Sequence, residues 1–217
     1  MILYNLTMNI RRTLPEAEIV ETVLPLWPAL KLYLIEPHNV QRAFSRKEIA
    51  LIQANPPYWS LCWASGHALA HFIFENKKMF EGKSVLDFGT GSGVTAIAVA
   101  LAGARRVTAC DVDQDAIDAA RANAALNRVY LETSLSLEKI SGKVDMIVAS
   151  DILYDRENLP ILEYLLDFAP DIIVAESRVK TIDVPPYQKI AEMEARMVPD
   201  LDPLDPYRHV KIYRALL

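Results

Sequence analysis

A doubly wound α/β sheet, mostly parallel, is the fold this sequence predicts, and three observations predict it. The segments VLDF (85–88), DMIVAS (145–150) and DIIVAE (171–176) are nearly continuous apolar runs, as expected for strands whose two faces are both covered by helices. Between them the apolar periodicity turns helical, so strand and helix alternate. The first of these strands runs straight into Gly89-Thr90-Gly91-Ser92-Gly93 and then a helix of small residues, VTAIAVALAG. Such a turn lets the backbone reverse sharply and lets a ligand lie against it.

Taken in order, residues 1–63 form an irregular N-terminal extension or lid that is not an independent domain, and residues 64–217 form the ligand-binding domain. Within the extension, residues 30–35 alternate enough for a strand. Ser45-Arg46-Lys47-Glu48 is a capping-box spelling that starts a short helix running to about Ala54. Pro56 and Pro57 end it. Then come a helix over 66–76, a strand over 84–88, a helix over 94–103, a strand over 107–111 and a helix over 115–127. A short strand near 129–132, a strand over 144–150, a helix over 157–168 and a strand over 172–175 complete the alternation. Residues 192–198 and 210–215 are expected to form a terminal antiparallel hairpin around the acidic, proline-bearing loop PDLDPLDP.

The chain has 217 residues, enough for one α/β domain with a sizeable core. It is 52% hydrophobic, with no apolar run near the ~20 residues that cross a bilayer, so no membrane partner is expected. The first residues lack a secretory pattern, and Glu16, Glu18 and Glu21 argue against an organellar targeting helix; a cytoplasmic monomer is expected. The formal net charge is -5, and no basic cluster exceeds Arg105-Arg106, which makes nucleic acid a poor partner. Cys62 and Cys110 fall in core segments and read as buried thiols, with no zinc pattern.

The glycine turn discriminates between cofactors. A dinucleotide fingerprint needs a third glycine where this chain has Val94. Asp87 also stands two residues before Gly89, where a carboxylate would repel a pyrophosphate docked on the helix N-terminus. S-adenosylmethionine has no phosphate and carries an ammonium and a sulfonium, so the same acid attracts it. At the end of the next strand, Asp111 can accept both ribose hydroxyls, with Val112 beside it. Asp113 is more suited to capping the following helix.

VLDFGTGSG, then CDVD, then VDMIVASDILYD resemble class I, seven-stranded S-adenosylmethionine-dependent methyltransferases, and the terminal hairpin is what that fold adds to a plain doubly wound sheet. The likeness covers about residues 83–217. PYWSLCWASGHALAHFIFEN ahead of GKSVLDFGTGSG, with SDILYD after the fourth strand, resembles the protein-lysine methyltransferases grouped as family 16, especially those acting on the β subunit of electron-transfer flavoprotein. This extends the match back to about Pro57. The resemblance implies a Rossmann-like fold, S-adenosylmethionine as cofactor, and a protein substrate presenting a lysine, with that β subunit as candidate. It implies cofactor contacts at Trp63, Asp87, Gly89, Thr90, Gly91, Gly93, Asp111, Val112, Ser134 and Ser150. At Ser134-Leu135 the family often has an acidic or aromatic residue that this chain lacks.

Asn55-Pro56-Pro57-Tyr58 spells the site of amino-group methyltransferases that act on adenine or glutamine. In those enzymes the unit hangs from the end of the fourth strand, and permuted DNA methyltransferases place a full catalytic half-domain between it and the glycine turn. Here VDMIVAS followed by Asp151-Ile152-Leu153-Tyr154 fills that position. The tetrapeptide is therefore a helix stop.

The family's Asp/Glu-x-x-Tyr/Phe signature is met by Asp151 and Tyr154. Asp151 would bind and orient an incoming ammonium, whose proton must leave before nitrogen can attack; whether Asp151 takes that proton directly or through water stays open. Tyr154 could offer a ring face to the cation. Tyr58 and Trp59 are candidates for the lid or the core. Asp145 belongs to a strand start. His67 and His71, four apart, have no third metal ligand and are expected to be exposed or half-buried. Glu176-Ser177-Arg178 suits a pocket wall or a solvated loop equally. The acidic hairpin loop could meet a lysine-rich segment or be solvated. Alternatives to a protein-lysine methyltransferase are a small-molecule amine or pyridine N-methyltransferase and a non-catalytic S-adenosylmethionine-binding regulatory module.

Overall fold

The computed structural model describes residues 2–140, 142–153, 156–201 and 206–217. Before the parallel strands come α1 (Ile2–Ile10), β1 (Ile19–Leu24), β2 (Trp27–Ile35), α2 (Arg46–Ala54) and α3 (Ala64–Glu75). There follow β3 (Ser84–Phe88), α4 (Val94–Leu101), β4 (Arg106–Cys110), α5 (Gln114–Leu126), β5 (Glu132–Ser134), β6 (Met146–Ser150), α6 (Pro160–Leu165) and β7 (Asp171–Glu176). The chain closes with β8 (Gln188–Glu194) and β9 (His209–Leu216).

Seven strands form one sheet in the order β5-β4-β3-β6-β7-β9-β8. Pairing is parallel from β5 to β7 and antiparallel from β7 through β9 to β8. The doubly wound sheet with a terminal hairpin is thus as expected. Its order reverses between β4 and β6, on either side of β3, and ligands of such sheets bind in the crevice beyond the strand ends at that point.

The buried strands divide their side chains by parity, as the pleat requires. Val85, Met146, Val148, Ile173 and Ala175 pack with Ala68 and Leu69 of α3 and Ile97 of α4 on one face. Leu86, Ile147, Ala149, Ile172 and Val174 pack with Leu162 and Leu165 of α6 on the other. This double burial explains the continuous apolar runs. A one-residue slip would exchange the two sets.

Residues 2–63 are more regular than the sequence predicts. β1 and β2 form an antiparallel hairpin, and Leu24, Leu30, Leu32 and Leu34 join the larger core. Leu6 and Ile10 of α1 pack against Ala116, Ala119 and Ala122 of α5, and Arg12 pairs with Asp115 at the start of that helix. Two side-chain amides, Asn123 of α5 and Asn127 at its C-cap, hold β2 by its backbone. The Tyr33 N–H donates to Asn123 Oδ1 (2.6 Å), the Lys31 N–H donates to Asn127 Oδ1 (3.1 Å), and Asn127 Nδ2 donates to the Lys31 carbonyl (2.6 Å).

Other boundaries differ too. The hairpin strand expected over 192–198 runs over Gln188–Glu194 and carries a bulge between Lys189 and Ala191, so the turn before it is shorter. The helix expected over 157–168 is a 3₁₀ turn at Arg156–Asn158 and a short α6 that starts at Pro160, because proline is tolerated only in the first turn. The strand expected near 129–132 begins at Glu132. The capping box forms as expected, with the Glu48 N–H on Ser45 Oγ (3.2 Å) and the Ser45 N–H on Glu48 Oε2 (2.8 Å).

His67 is buried, against expectation, and acts as a structural clasp. Its Nε2 accepts from the Leu26 N–H (3.1 Å), which leaves Nδ1 to donate to the Arg196 carbonyl (2.9 Å). Burial lowers its pKa, keeping the ring neutral. His71 is half-buried, as expected, with Nδ1 on the Leu26 carbonyl (3.0 Å). Cys62 and Cys110 are buried free thiols. Among the described residues no helix is long and apolar enough to cross a membrane.

Candidate functional site

The glycine turn sits at the carboxyl end of β3. Gly89, Gly91 and Gly93 all have positive φ, at 71°, 51° and 81°. Gly93 is the most constrained, since a Cβ there would lie 2.8 Å from Ala120 Cα. It lets α4 start against the backbone of α5.

Most of the turn's amides are engaged by the protein. The Gly89 and Thr90 N–H groups donate to the Cys110 carbonyl (2.9 and 3.0 Å), and the Gly93 N–H donates to the Thr90 carbonyl (2.8 Å). The Gly91 N–H donates to Asp111 Oδ2 (2.9 Å), and the Ala96 N–H in the first turn of α4 donates to Asp87 Oδ2 (3.0 Å). A helix N-terminus binds phosphate through free amides. Here a buried carboxylate takes one of them and a second carboxylate takes another. Asp87 is 1% exposed and also accepts from Thr90 Oγ1 (2.6 Å). Burial pushes its pKa up to about 7 against those two hydrogen bonds, and the charge of Asp111 adds to the rise. A cation entering this end of the crevice would favour its ionised form.

Asp111 follows β4. Its Oδ1 accepts from the Asp113 N–H (3.0 Å), while Asp113 caps α5 by accepting from the Asp115 N–H (2.8 Å). Each Asp111 oxygen receives one amide in these contacts and retains acceptor capacity for a hydroxyl. Val112, beside it, is 90% exposed, an apolar surface at the crevice edge. Ser134 closes the same edge: its carbonyl accepts from the Asp111 N–H (3.1 Å) and its Oγ donates to the Ser136 carbonyl (2.7 Å). Leu135 next to it is exposed.

On the other side of the turn, Ser150 ends β6 and its Oγ lies 3.3 Å from where a Cβ on Gly66 would stand. That glycine lets the start of α3 approach the strand ends. Asp151 follows in the left-handed region, φ 54°, which aspartate tolerates better than most residues. Its carboxylate accepts from both the N–H (3.2 Å) and the Oγ (2.7 Å) of Ser65 on α3, and more weakly from Ser177 Oγ (3.4 Å) after β7. Burial raises its pKa to about 7, Glu176 adds to the rise, and Ser65 and Arg178 oppose it. The residue retains some exposed surface, so this acid is both enclosed and reachable.

Arg178 is exposed, whereas Glu176, two residues earlier at the end of β7, is fully buried. It accepts from the N–H groups of Leu153 (3.2 Å), Ser177 (2.9 Å) and Arg178 (2.9 Å), tying the turn after β6 to the end of β7. Sequence reasoning missed Ser65; the small-residue stretch Ala64-Ser65-Gly66 where α3 meets the strand ends was the available signal. Asp145 is a strand-start residue, as expected, holding Ser84 by its N–H (2.7 Å) and Oγ (2.8 Å).

Trp63 is the N-cap residue of α3. Its Nε1 donates to the Tyr58 carbonyl (3.1 Å), and the two rings meet edge-on at 5.7 Å. Tyr58 is exposed, while Trp59 is buried in the core beneath the extension. Asn55 caps the end of α2, with its N–H on the Leu51 carbonyl, and is exposed. The Asn-Pro-Pro-Tyr spelling is a helix stop. Tyr154, the second expected catalytic residue, lies outside the described residues, as does the tip of the acidic hairpin loop from Asp202 to Asp205.

Among known proteins the chain has relatives in sequence and in fold. The family model described as ribosomal protein L11 methyltransferase (PrmA) matches residues 70–172. The electron transfer flavoprotein beta subunit lysine methyltransferase of Homo sapiens is 36% identical over 137 residues, 61% of this chain and 50% of that protein. The chain thus spans about half the length of this curated relative. A crystal structure of ribosomal protein L11 methylase from Lactobacillus delbrueckii subsp. bulgaricus aligns at TM-score 0.55 and 25% identity, covering 70% of this chain and 78% of that one. Magnesium protoporphyrin IX methyltransferase from Synechocystis PCC 6803, with bound S-adenosylmethionine, aligns at TM-score 0.55 over 83% of this chain and 89% of that one, at 16% identity. That last likeness concerns the fold. The chain has the seven-stranded, Rossmann-like methyltransferase fold. In sequence it is a homologue of the electron transfer flavoprotein beta subunit lysine methyltransferases.

Proposed function

We propose that the chain transfers a methyl group from S-adenosylmethionine to a lysine side chain of a protein, and that the β subunit of electron-transfer flavoprotein is the first substrate to test. One observation carries the reading: Asp151, a carboxylate at the end of β6 beside the glycine turn, is pinned by Ser65 with its pKa raised to about 7. Such a group pairs with an ammonium. The names of the relatives, which act on a flavoprotein subunit's lysine or on ribosomal protein L11, support a protein substrate.

The residues present suit the donor. Asp111 would hold the ribose hydroxyls, and the exposed Val112, with Ser134, would border the base. The turn from Gly89 to Gly93, with Thr90 and the buried Asp87, would face the cationic amino-acid end, and Ser150 and Trp63 would close the far side. When bound, S-adenosylmethionine supplies an electrophilic methyl carbon on a sulfonium.

The protein's own part is to deliver a free amine. A lysine starts near pKa ~10.4 and enters as an ammonium. Asp151 binds and orients it, with Ser65 fixing the carboxylate. Enclosing that ion pair removes water from both charges and favours passing the proton to the carboxylate, leaving a neutral pair. An aspartate already displaced toward pH 7 accepts it more readily than an ordinary one. Alignment of the amine with the methyl carbon supplies much of the remaining acceleration. Tyr154, three residues on, would present a ring face to the cation.

The test is incubation with radiolabelled S-adenosylmethionine and either the purified flavoprotein β subunit or ribosomal protein L11, followed by size filtration and peptide mapping. Label retained on a lysine of the β subunit is expected. No label retained on either protein after size filtration would contradict these protein substrates.

A further inference from the structure

Beside Asp151 the structure already holds a cation between two aromatic rings. The guanidinium carbon of Arg178 lies 4.5 Å from the ring centroid of Tyr207 and 5.5 Å from that of Trp63. Trp63 is in turn buttressed by Tyr58, edge-on at 5.7 Å, and its Nε1 is fixed on the Tyr58 carbonyl (3.1 Å). The three rings come from different places: the residues before α3, its N-cap, and the turn that opens β9. They converge at the carboxyl ends of the strands, on the substrate side of the site. The backbone of Arg178 is anchored, with its N–H on the buried Glu176 (2.9 Å), while the residue itself is exposed. Its charge is felt at Asp151, where it favours the ionised carboxylate.

We propose that the slot between Trp63 and Tyr207 is a binding subsite for a cationic side chain of the substrate, an alkylammonium or its methylated product, and that Arg178 is a placeholder that the incoming cation displaces. The proposal rests on the lysine-methylation reading and deepens it. An electron-rich pair of rings holds a cation face-on, and the fold keeps this pair filled with a charge of its own, carried at the end of a flexible side chain. A substrate ammonium heading for Asp151 competes with Arg178 for the same rings and is repelled by the same charge. Entry therefore requires exchange, and a cation that engages both the rings and Asp151 gains what a lone ammonium cannot. Arg178 sets the threshold and thereby the specificity.

Trp63 supplies a direct readout, because Trp27 and Trp59 are buried whereas Trp63 is partly exposed. The 217-residue protein is titrated with a short peptide carrying trimethyllysine and with the same peptide carrying norleucine, following tryptophan fluorescence. Arg178→Ala is expected to bind the trimethyllysine peptide about fivefold tighter than wild type, with a larger fluorescence change, and Arg178→Gln to fall between them. Arg178→Lys, which keeps a placeholder cation, is expected to stay near wild type. The norleucine peptide should bind none of them. If Arg178→Ala leaves affinity unchanged or weakens it, or only lowers thermal stability, Arg178 is a clamp between α3 and the hairpin turn and the subsite is refuted. Absence of methyl transfer to every protein tried would refute the lysine-methylation reading instead, whatever the peptide titration gives.

Discussion

Two enclosed acids, one on each side of the glycine turn, Asp87 buried and Asp151 partly exposed, have proton affinities raised to about the same degree by different surroundings. Asp87 finds its partners in its own turn, Thr90 and Ala96. Asp151 finds them far along the chain, Ser65 before it and Ser177 after it, with Glu176 and Arg178 setting its charge environment. On the proposed function, the acid that faces the donor is thus held locally, by β3 and the start of α4. The acid that would face the acceptor is held by elements distant in sequence, at the start of α3 and the end of β7. On that reading, donor binding and acceptor choice are expected to be separable by mutation.

The largest separation is expected from Asp151→Asn. The amide still accepts from Ser65 but neither pairs an ammonium nor takes a proton. Methyl transfer should fall about 100-fold or more, while calorimetric affinity for S-adenosylhomocysteine stays within twofold. Equal loss of both would mean that the two halves of the site are one unit. Asp87→Asn should do the opposite. The buried site remains hydrogen-bonded and loses only its charge, so affinity for the cationic donor should drop about tenfold, roughly 1.4 kcal/mol, with the KM for protein substrate unchanged.

A smaller effect sharpens the contrast through pH. Asp87 and Asp151 both titrate near 7 when folded and near ~3.9 when unfolded, so the folded state holds their protons more tightly. Their contribution to stability is greatest below the unfolded value and is lost as pH rises through about 7. Subtracting the pH dependence of Asp87→Asn melting from that of the wild type should leave a component that destabilises as pH rises from about 4 to about 7. Because a bound cation favours the ionised carboxylate, saturating donor should shift that component toward lower pH. A flat difference curve would show that Asp87 is ionised throughout.

The local side was legible in the sequence because its evidence is contiguous. Strand, glycine turn, Asp87, Asp111 and the cap at Asp113 lie within one supersecondary unit, and their order alone excludes a dinucleotide fingerprint. The parallel strands were equally plain, since burial on both faces leaves unbroken apolar runs. The hairpin of β1 and β2 was only half visible. Its outer edge is satisfied by Asn123 and Asn127, some ninety residues away, a pairing that local periodicity cannot register. Ser65 and the Trp63–Arg178–Tyr207 stack were hidden for the same reason: each joins segments that meet only in the finished fold. His67 misled in the reverse direction, as a polar residue on a helix that proved buried because the backbone at Leu26 and Arg196 satisfies both its nitrogens.

Calorimetry of the protein with S-adenosylmethionine and, separately, with NAD tests most directly whether carboxylates at the glycine turn select the ligand. Saturable binding of S-adenosylmethionine and no detectable heat with NAD is the expected pair of results. Saturable binding of NAD, with S-adenosylmethionine inert, would contradict it.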